Sequence, residues 1–128
     1  MIFADTDVLI DYLAGRDPGA SRIARELASA ELCTTAITRF ELLSGARDPS
    51  QESAILQLLD AIPALPLDDA GADRAAAVRR ALEAGGNTIG MGDSLIAGIV
   101  LSHRGVLLSS NRRHFERVEG LVLGRLED

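Results

Sequence analysis

With 128 residues, 47% of them hydrophobic and 25% charged, the chain has the size and composition of one globular domain, which excludes a disordered or low-complexity tract. Nineteen acids against thirteen cations, every one an arginine, leave a formal charge of −6, a balance that argues against broad contact with a phosphate backbone. The lone Cys33 excludes an internal disulfide, no apolar run reaches the roughly 18 residues of a membrane span, and the N-terminus lacks the basic start of a signal peptide, so a cytoplasmic setting is expected.

Ile2-Phe3-Ala4 reads as a short buried strand, and Val8, Leu9, Tyr12 and Leu13 then recur at helical spacing, with Asp5 at the junction. Gly15 to Pro18 is a turn, and Pro18 suits the first position of a helix carrying Ala20, Ile23, Ala24 and Leu27 on one face. Glu31 to Thr35 predicts a second strand, passing at Thr35 or Ala36 into a helix that ends near Ala46 and is broken by Asp48-Pro49. The helix from Ser50 to near Ala61 has Ile55, Leu58, Leu59 and Ile62 as its stripe. Pro63 and Pro66 bracket a short extended piece, and Asp68 or Asp69 caps an alanine-rich helix ending at Gly85-Gly86. Gly90 to Gly92 opens a further helix, with a stripe of Ile96, Ile99, Val100 and His103, and Gly105 ends it. Val106-Leu107-Leu108 carries a buried-strand pattern, and Leu121-Val122-Leu123 reads as a last strand. Strands alternating with helices predict one α/β domain over residues 1–128 with a mostly parallel sheet covered on both faces.

In such a sheet functional groups gather outside the carboxyl ends of the strands, which singles out Asp5 and the stretch Ser109 to Asn111. Three acids stand apart from those that lie on solvated helix faces, such as Glu26, Glu52, Asp73 and Glu83. Asp5 either caps the helix that starts near Asp7 or belongs to a site, and Thr6 would cap equally well. Glu41, four residues after Ile37 and next to Phe40, lies within or beside an apolar stripe. A carboxylate there needs an arginine such as Arg39 or Arg47, hydrogen bonds or a metal. Asp93 is either an N-cap for the helix of Ile96, Ala97 and Val100 or a third member of the same site. Convergent carboxylates raise one another's pKa unless a cation intervenes. Hard oxygen donors without a matching His or Cys set favour Mg²⁺ or Mn²⁺ over zinc.

His103 and His114 pair with Cys33 in no zinc or nucleophile spacing and read as structural or partner-facing. Neither Gly85-Gly86 nor Gly90-Met91-Gly92 matches a nucleotide-binding glycine motif. Residues 103 to 113 contain His103, Arg104, Arg112 and Arg113 and no acid, which reads as a basic rim beside the acidic pocket or as a solvated turn.

Four stretches occur together in one order: Asp5-Thr6-Asp7-Val8-Leu9-Ile10, then Thr38-Arg39-Phe40-Glu41-Leu42 with Gly45-Ala46, then Ile89-Gly90-Met91-Gly92-Asp93-Ser94-Leu95-Ile96-Ala97, then Leu107-Leu108-Ser109-Ser110-Asn111-Arg112-Arg113-His114-Phe115. As a set they resemble the PIN-domain ribonucleases, in particular the VapC toxins of bacterial and archaeal toxin–antitoxin pairs. The resemblance implies a three-layer α/β/α sandwich with a mainly parallel central sheet, and metal-dependent endonucleolytic cleavage of RNA. It implies an acidic site of Asp5, Glu41 and Asp93. Asp5 and Asp93 would be direct ligands of Mg²⁺ or Mn²⁺, and Glu41 would orient the metal's water or bind a second ion. Where many members carry a fourth acid this chain has Asn111, which hydrogen bonds but takes no proton as a carboxylate does. Asp7 stands where asparagine is common. The resemblance further implies a homodimer and a cognate VapB-type antitoxin that inserts a segment, often with an arginine, into the pocket. Side chains near Ile23, Leu27, Leu42 and Leu43 would offer it an apolar groove, or else belong to the core.

Other readings start from the same residues. Phe3-Ala4-Asp5-Thr6-Asp7-Val8-Leu9 also fits the opening of a haloacid-dehalogenase-like phosphatase, with Asp5 as nucleophile and Asp7 as general acid. The absence of lysine argues against that class and against a response-regulator receiver. Asn111 in place of an acid suggests an inactive PIN-like binding module.

Overall fold

The sheet is built on β1 (Ile2–Ala4), with β2 (Leu32–Thr35) and β3 (Ala64–Leu65) on one side and β4 (Val106–Leu108) and β5 (Val122–Leu123) on the other, giving the order β3-β2-β1-β4-β5. The computed structural model describes residues 1–127. Every strand pairing is parallel: Phe3 stands opposite Cys33 and Leu107, Thr34 opposite Ala64, and Leu107 opposite Leu123.

Because alternate strand residues point to opposite faces, the sheet divides two cores. Phe3, Cys33 and Leu107 face α5 (Asp69–Ala84), α6 (Met91–Ser102) and α7 (Arg112–Phe115), meeting Val78, Leu82, Ile96, Ile99, Val100 and Phe115. Ala4, Leu32 and Leu108 face α1 (Thr6–Ala14), α2 (Gly19–Ser29), α3 (Ala36–Ser44) and α4 (Pro49–Ala61), meeting Val8, Leu9, Ile23, Leu42, Ile55, Leu58 and Leu59. The result is an α/β/α sandwich whose sheet is wholly parallel among the described residues. Cys33 is buried in it, its thiol pushed up to about 11 by burial, and Sγ donates to the Ile2 carbonyl at 3.3 Å.

Four helices open on side-chain caps. Asp5, Thr35, Asp48 and Asp68 accept from the backbone N–H groups of Val8, Thr38, Gln51 and Gly71, satisfying donors that no helical carbonyl reaches. Asp48-Pro49, which breaks the preceding helix, is therefore also the start of α4, with the proline at a position that needs no N–H. Pro18 lies one residue outside α2, as its N-cap. Ile23 is a core residue, 0% exposed, and forms no surface groove, whereas Leu42, 3% exposed, packs in the core and also lines a cleft.

Helices α5 and α6 approach closely because of Gly98. A methyl group there would lie 2.5 Å from the Gly71 carbonyl oxygen and 2.6 Å from Ala75 N and Cβ. These are mostly backbone atoms, so relief requires the helices to part. Gly98→Ala gains at most about 1 kcal/mol of helix propensity, against an overpacking cost of about 1–3 kcal/mol or more. The expected result is a lower urea midpoint with an unchanged m-value. An unchanged midpoint would show that the interface yields freely.

Candidate active site

The strand order reverses direction on either side of β1, and the crevice between the carboxyl ends of β1 and β4 is the place where an open parallel sheet binds ligands. Asp5 leaves β1 there, its N–H donating to the Leu108 carbonyl at 3.1 Å. Its side chain is 3% exposed. Oδ1 accepts the Val8 N–H at 2.9 Å and caps α1, while Oδ2 accepts the Ser109 hydroxyl at 2.5 Å. Asp5 thus caps α1 with one oxygen and meets the Ser109 hydroxyl in the crevice with the other. Burial pushes its carboxyl up to about 7, opposed by the Ser109 and Val8 hydrogen bonds and reinforced by the Asp7 and Asp93 charges.

Thr6 does not cap the helix. Its hydroxyl donates to Glu41 Oε1 at 2.5 Å and lies 3.1 Å from Thr38 Oγ1. With its one proton committed to Glu41, Thr6 accepts from Thr38, which lies 3.5 Å from the hydroxyl of the α3 cap, Thr35. Hydroxyls from two helix starts therefore hold the half-buried Glu41 carboxylate, which has no ion pair with Arg39, Arg47 or any other cation among the described residues. The other oxygen, Oε2, rests against Gly92 at the start of α6.

Asp93 is not the N-cap of α6; Gly90 is, and Asp93 sits in the first turn, where the helix dipole favours an anion. Its Oδ2 lies 3.3 Å from His114 Nδ1. The same ring nitrogen is 2.9 Å from Asn111 Nδ2, and the Asn111 N–H donates to Ser109 Oγ at 2.8 Å. Nδ1 serves one neighbour at a time: unprotonated it accepts from the Asn111 amide, protonated it donates to Asp93. A polar chain thus runs Asp5–Ser109–Asn111–His114–Asp93 from the sheet crevice to α6. Asp7, exposed on the first turn of α1, shares the rim. Partial burial raises its carboxyl, as do the Asp93 and Asp11 charges, while His114 lowers it.

Two sequence readings need correction. His114, read as structural or partner-facing, stands 3.3 Å from Asp93, and the sequence offers only one signal for this: it lies three residues after Asn111, one turn along α7. The basic stretch is not one rim. His103 caps the far end of α6 with its ring 6.0 Å from that of Phe3, and with Arg104 it precedes β4, at the opposite end of the strand from Ser109. Arg112, on the Ser109 side, donates to the Gly124 carbonyl at 2.7 Å.

The donor set suits a hard divalent cation. It consists of carboxylate oxygens from Asp5, Asp93 and Asp7, none of them paired with an arginine among the described residues, and burial pushes the Asp5 carboxyl up to about 7. Among the described residues no three His, Cys, Asp or Glu side chains form a ready cage.

A family model described as PIN domain matches residues 2–121. The chain belongs to the PIN-domain family. Its relatives include the tRNA(fMet)-specific endonuclease VapC of Shigella flexneri, 30% identical over 128 residues that cover 97% of this chain and 94% of that protein. VapC ribonuclease Mb1587 of Mycobacterium bovis is 33% identical over 108 residues, 80% of this chain and 81% of that one. In VapBC-1 from nontypeable Haemophilus influenzae a solved chain superposes with a TM-score of 0.83 at 24% identity, covering 98% of both chains. VapBC2 from Rickettsia felis, bound to a DNA fragment from their promoter, gives 0.82 at 21%, over 97% of this chain and 98% of that one. The last two likenesses are of fold.

Proposed function

We propose that this protein is an endoribonuclease, the toxin of a VapBC-type pair, that hydrolyses RNA phosphodiester bonds with Mg²⁺ or Mn²⁺ held by Asp5 and Asp93. The observation that carries the reading is the buried, unneutralised Asp5 carboxylate, which caps α1 at the switch point of the sheet and is followed by Ser109, Asn111 and His114 toward Asp93. VapC relatives named as ribonuclease and endonuclease support it. The phosphatase and inactive-module readings find no support in these likenesses.

When bound, the ion would polarise the scissile phosphate and acidify water at neutral pH. The chain's own residues do the rest. Val8 N–H and the Ser109 hydroxyl fix the plane of the Asp5 carboxylate. Asn111 orients Ser109 through its N–H, and its side-chain amide holds the unprotonated His114 ring, whose Nδ1 donates to Asp93 once protonated. Glu41, with Oε1 committed to Thr6, keeps Oε2 for orienting the attacking water.

The partner is a VapB-type antitoxin, supported by the likeness to chains of VapBC assemblies. A cleft of about 430 Å³ lined by Ile10, Leu13, Leu42, Ala54 and Ile55 includes Glu41 and Arg47 in its wall. It suits an apolar segment that delivers an arginine to the carboxylates. A second copy of the chain completes the assembly, with Phe40 and Met91, 69% and 64% exposed, as the apolar groups on offer near Glu41 and Asp93.

Purified protein, sized by light scattering as two copies, is expected to cut total RNA at discrete positions with Mg²⁺ or Mn²⁺, and to stop when a chelator removes the ion. Metal-independent cutting, or none at all, would overturn the reading, and a monomer would remove the second copy.

A further inference from the structure

We infer that Gly92 is a positioning residue for cleavage: by carrying no side chain it leaves the notch in which the Glu41 carboxylate stands beside Asp93. The inference rests on the ribonuclease reading above.

A Cβ at residue 92 would lie 2.7 Å from Glu41 Oε2, 3.5 Å from Cδ and 3.9 Å from Oε1. The nearest atoms all belong to that one carboxylate. Gly98 and Gly105 differ, since their missing side chains make room for backbone or for an aromatic ring, and Gly90 faces nothing within 4 Å. Backbone freedom does not explain Gly92 either. It lies in the first turn of α6 and is not among the positive-φ glycines, and a helix disfavours glycine relative to alanine. The helix gains nothing from glycine here; Glu41 does.

The opposite side of the carboxylate is equally defined. Thr6 holds Oε1 at 2.5 Å and is itself 3.1 Å from Thr38 Oγ1. Glu41 is thus clamped between a hydroxyl pair contributed by α1 and α3 and the bare start of α6, one residue before Asp93. A methyl group at residue 92 meets the far end of a flexible side chain, so the carboxylate moves and the backbone stays. The geometry between Glu41 and Asp93 is then set by an absence, which no search for polar residues would find.

The test is Gly92→Ala in the full chain, with Gly90→Ala as control and each also made in a Glu41→Asp background. Displacement of a positioned group by about 1 Å can cost on the order of 10²-fold, so kcat for RNA cleavage is expected to fall by at least about 10-fold with KM little changed. The thermal midpoint should not fall. In metal-free protein the Thr6 side-chain NMR resonances should shift in Gly92→Ala and stay in place in Gly90→Ala. In the Glu41→Asp background, where the shorter side chain withdraws from the notch, Gly92→Ala should cost nothing further. Wild-type kcat in Gly92→Ala, or an equal loss in both backgrounds, would overturn the inference. Failure of the unmodified protein to cut RNA would instead count against the ribonuclease reading itself.

Discussion

Asp5→Asn is expected to lower RNA cleavage by on the order of 10³-fold, the scale on which removal of one preorganised electrostatic group acts, while the protein unfolds as cooperatively as the parent. Both halves follow from the two oxygens. Asparagine keeps an oxygen for the Val8 N–H, now 2.9 Å from Oδ1, and is as good an N-cap as aspartate. Its amide turns toward Ser109, whose hydroxyl accepts where it formerly donated. Ser109 Oγ, which already accepts the Asn111 N–H, loses the acceptor of its own proton, a cost of about 1–3 kcal/mol that leaves the rest of the core intact. What disappears is the negative charge, and with it the deepest oxygen available to a divalent cation. Full activity in a well-folded Asp5→Asn protein would remove Asp5 from the site.

The same substitution should largely remove an unusual pH dependence. Asp5 titrates at about 7 in the folded chain against an ordinary 3.8, so between those values the folded state holds a proton that the unfolded state has released. Stability contributed by this group is therefore full below about pH 4, declines as pH rises to about 7, and is level above that. Three pH units correspond to a swing on the order of 4 kcal/mol. Asp7, also raised, adds in the same sense. Denaturant midpoints of the metal-free protein should fall from pH 4 to pH 7, and Asp5→Asn should flatten most of that slope. Saturating Mg²⁺ should restore stability above pH 7, because an ion bound only to the folded carboxylate form stabilises it by mass action. A parent midpoint that rises across this range would mean that the Asp5 carboxylate is not isolated from counter-charge.

Much of this was legible in the sequence because local rules dominate there. Short apolar runs gave the strands, and Asp-Pro, Gly-Gly and the Asp or Thr at helix starts gave most boundaries. The three unusual acids, Asp5, Glu41 and Asp93, do gather at one end of the sheet. The rest depends on contacts that sequence distance hides. One oxygen of Asp5 caps α1 and the other meets Ser109, so a capping role and a place in the crevice do not exclude each other. Four-residue α7 is too short to show a period, so His114 could not be placed. The Thr6–Glu41 bond spans 35 positions along the chain. The arginine-rich stretch looked continuous because it is continuous in sequence, yet the three residues of β4 carry the chain roughly 10 Å across the molecule. The −6 balance similarly described the whole surface and not the crevice.

The order in which the sheet is filled has a consequence for synthesis on the ribosome. β1 lies at the centre of the sheet, yet one of its two neighbours, β4, begins only at Val106. The growing chain therefore carries Asp5, Glu41 and even Asp93 before it carries Ser109, Asn111 or His114. Until those last residues emerge, the central strand has one open edge and the Asp5 carboxylate lacks the hydroxyl that fixes it. Domains generally fold as units, so a chain that stops before Val106 lacks both the second neighbour of β1 and the hydroxyl that holds Asp5.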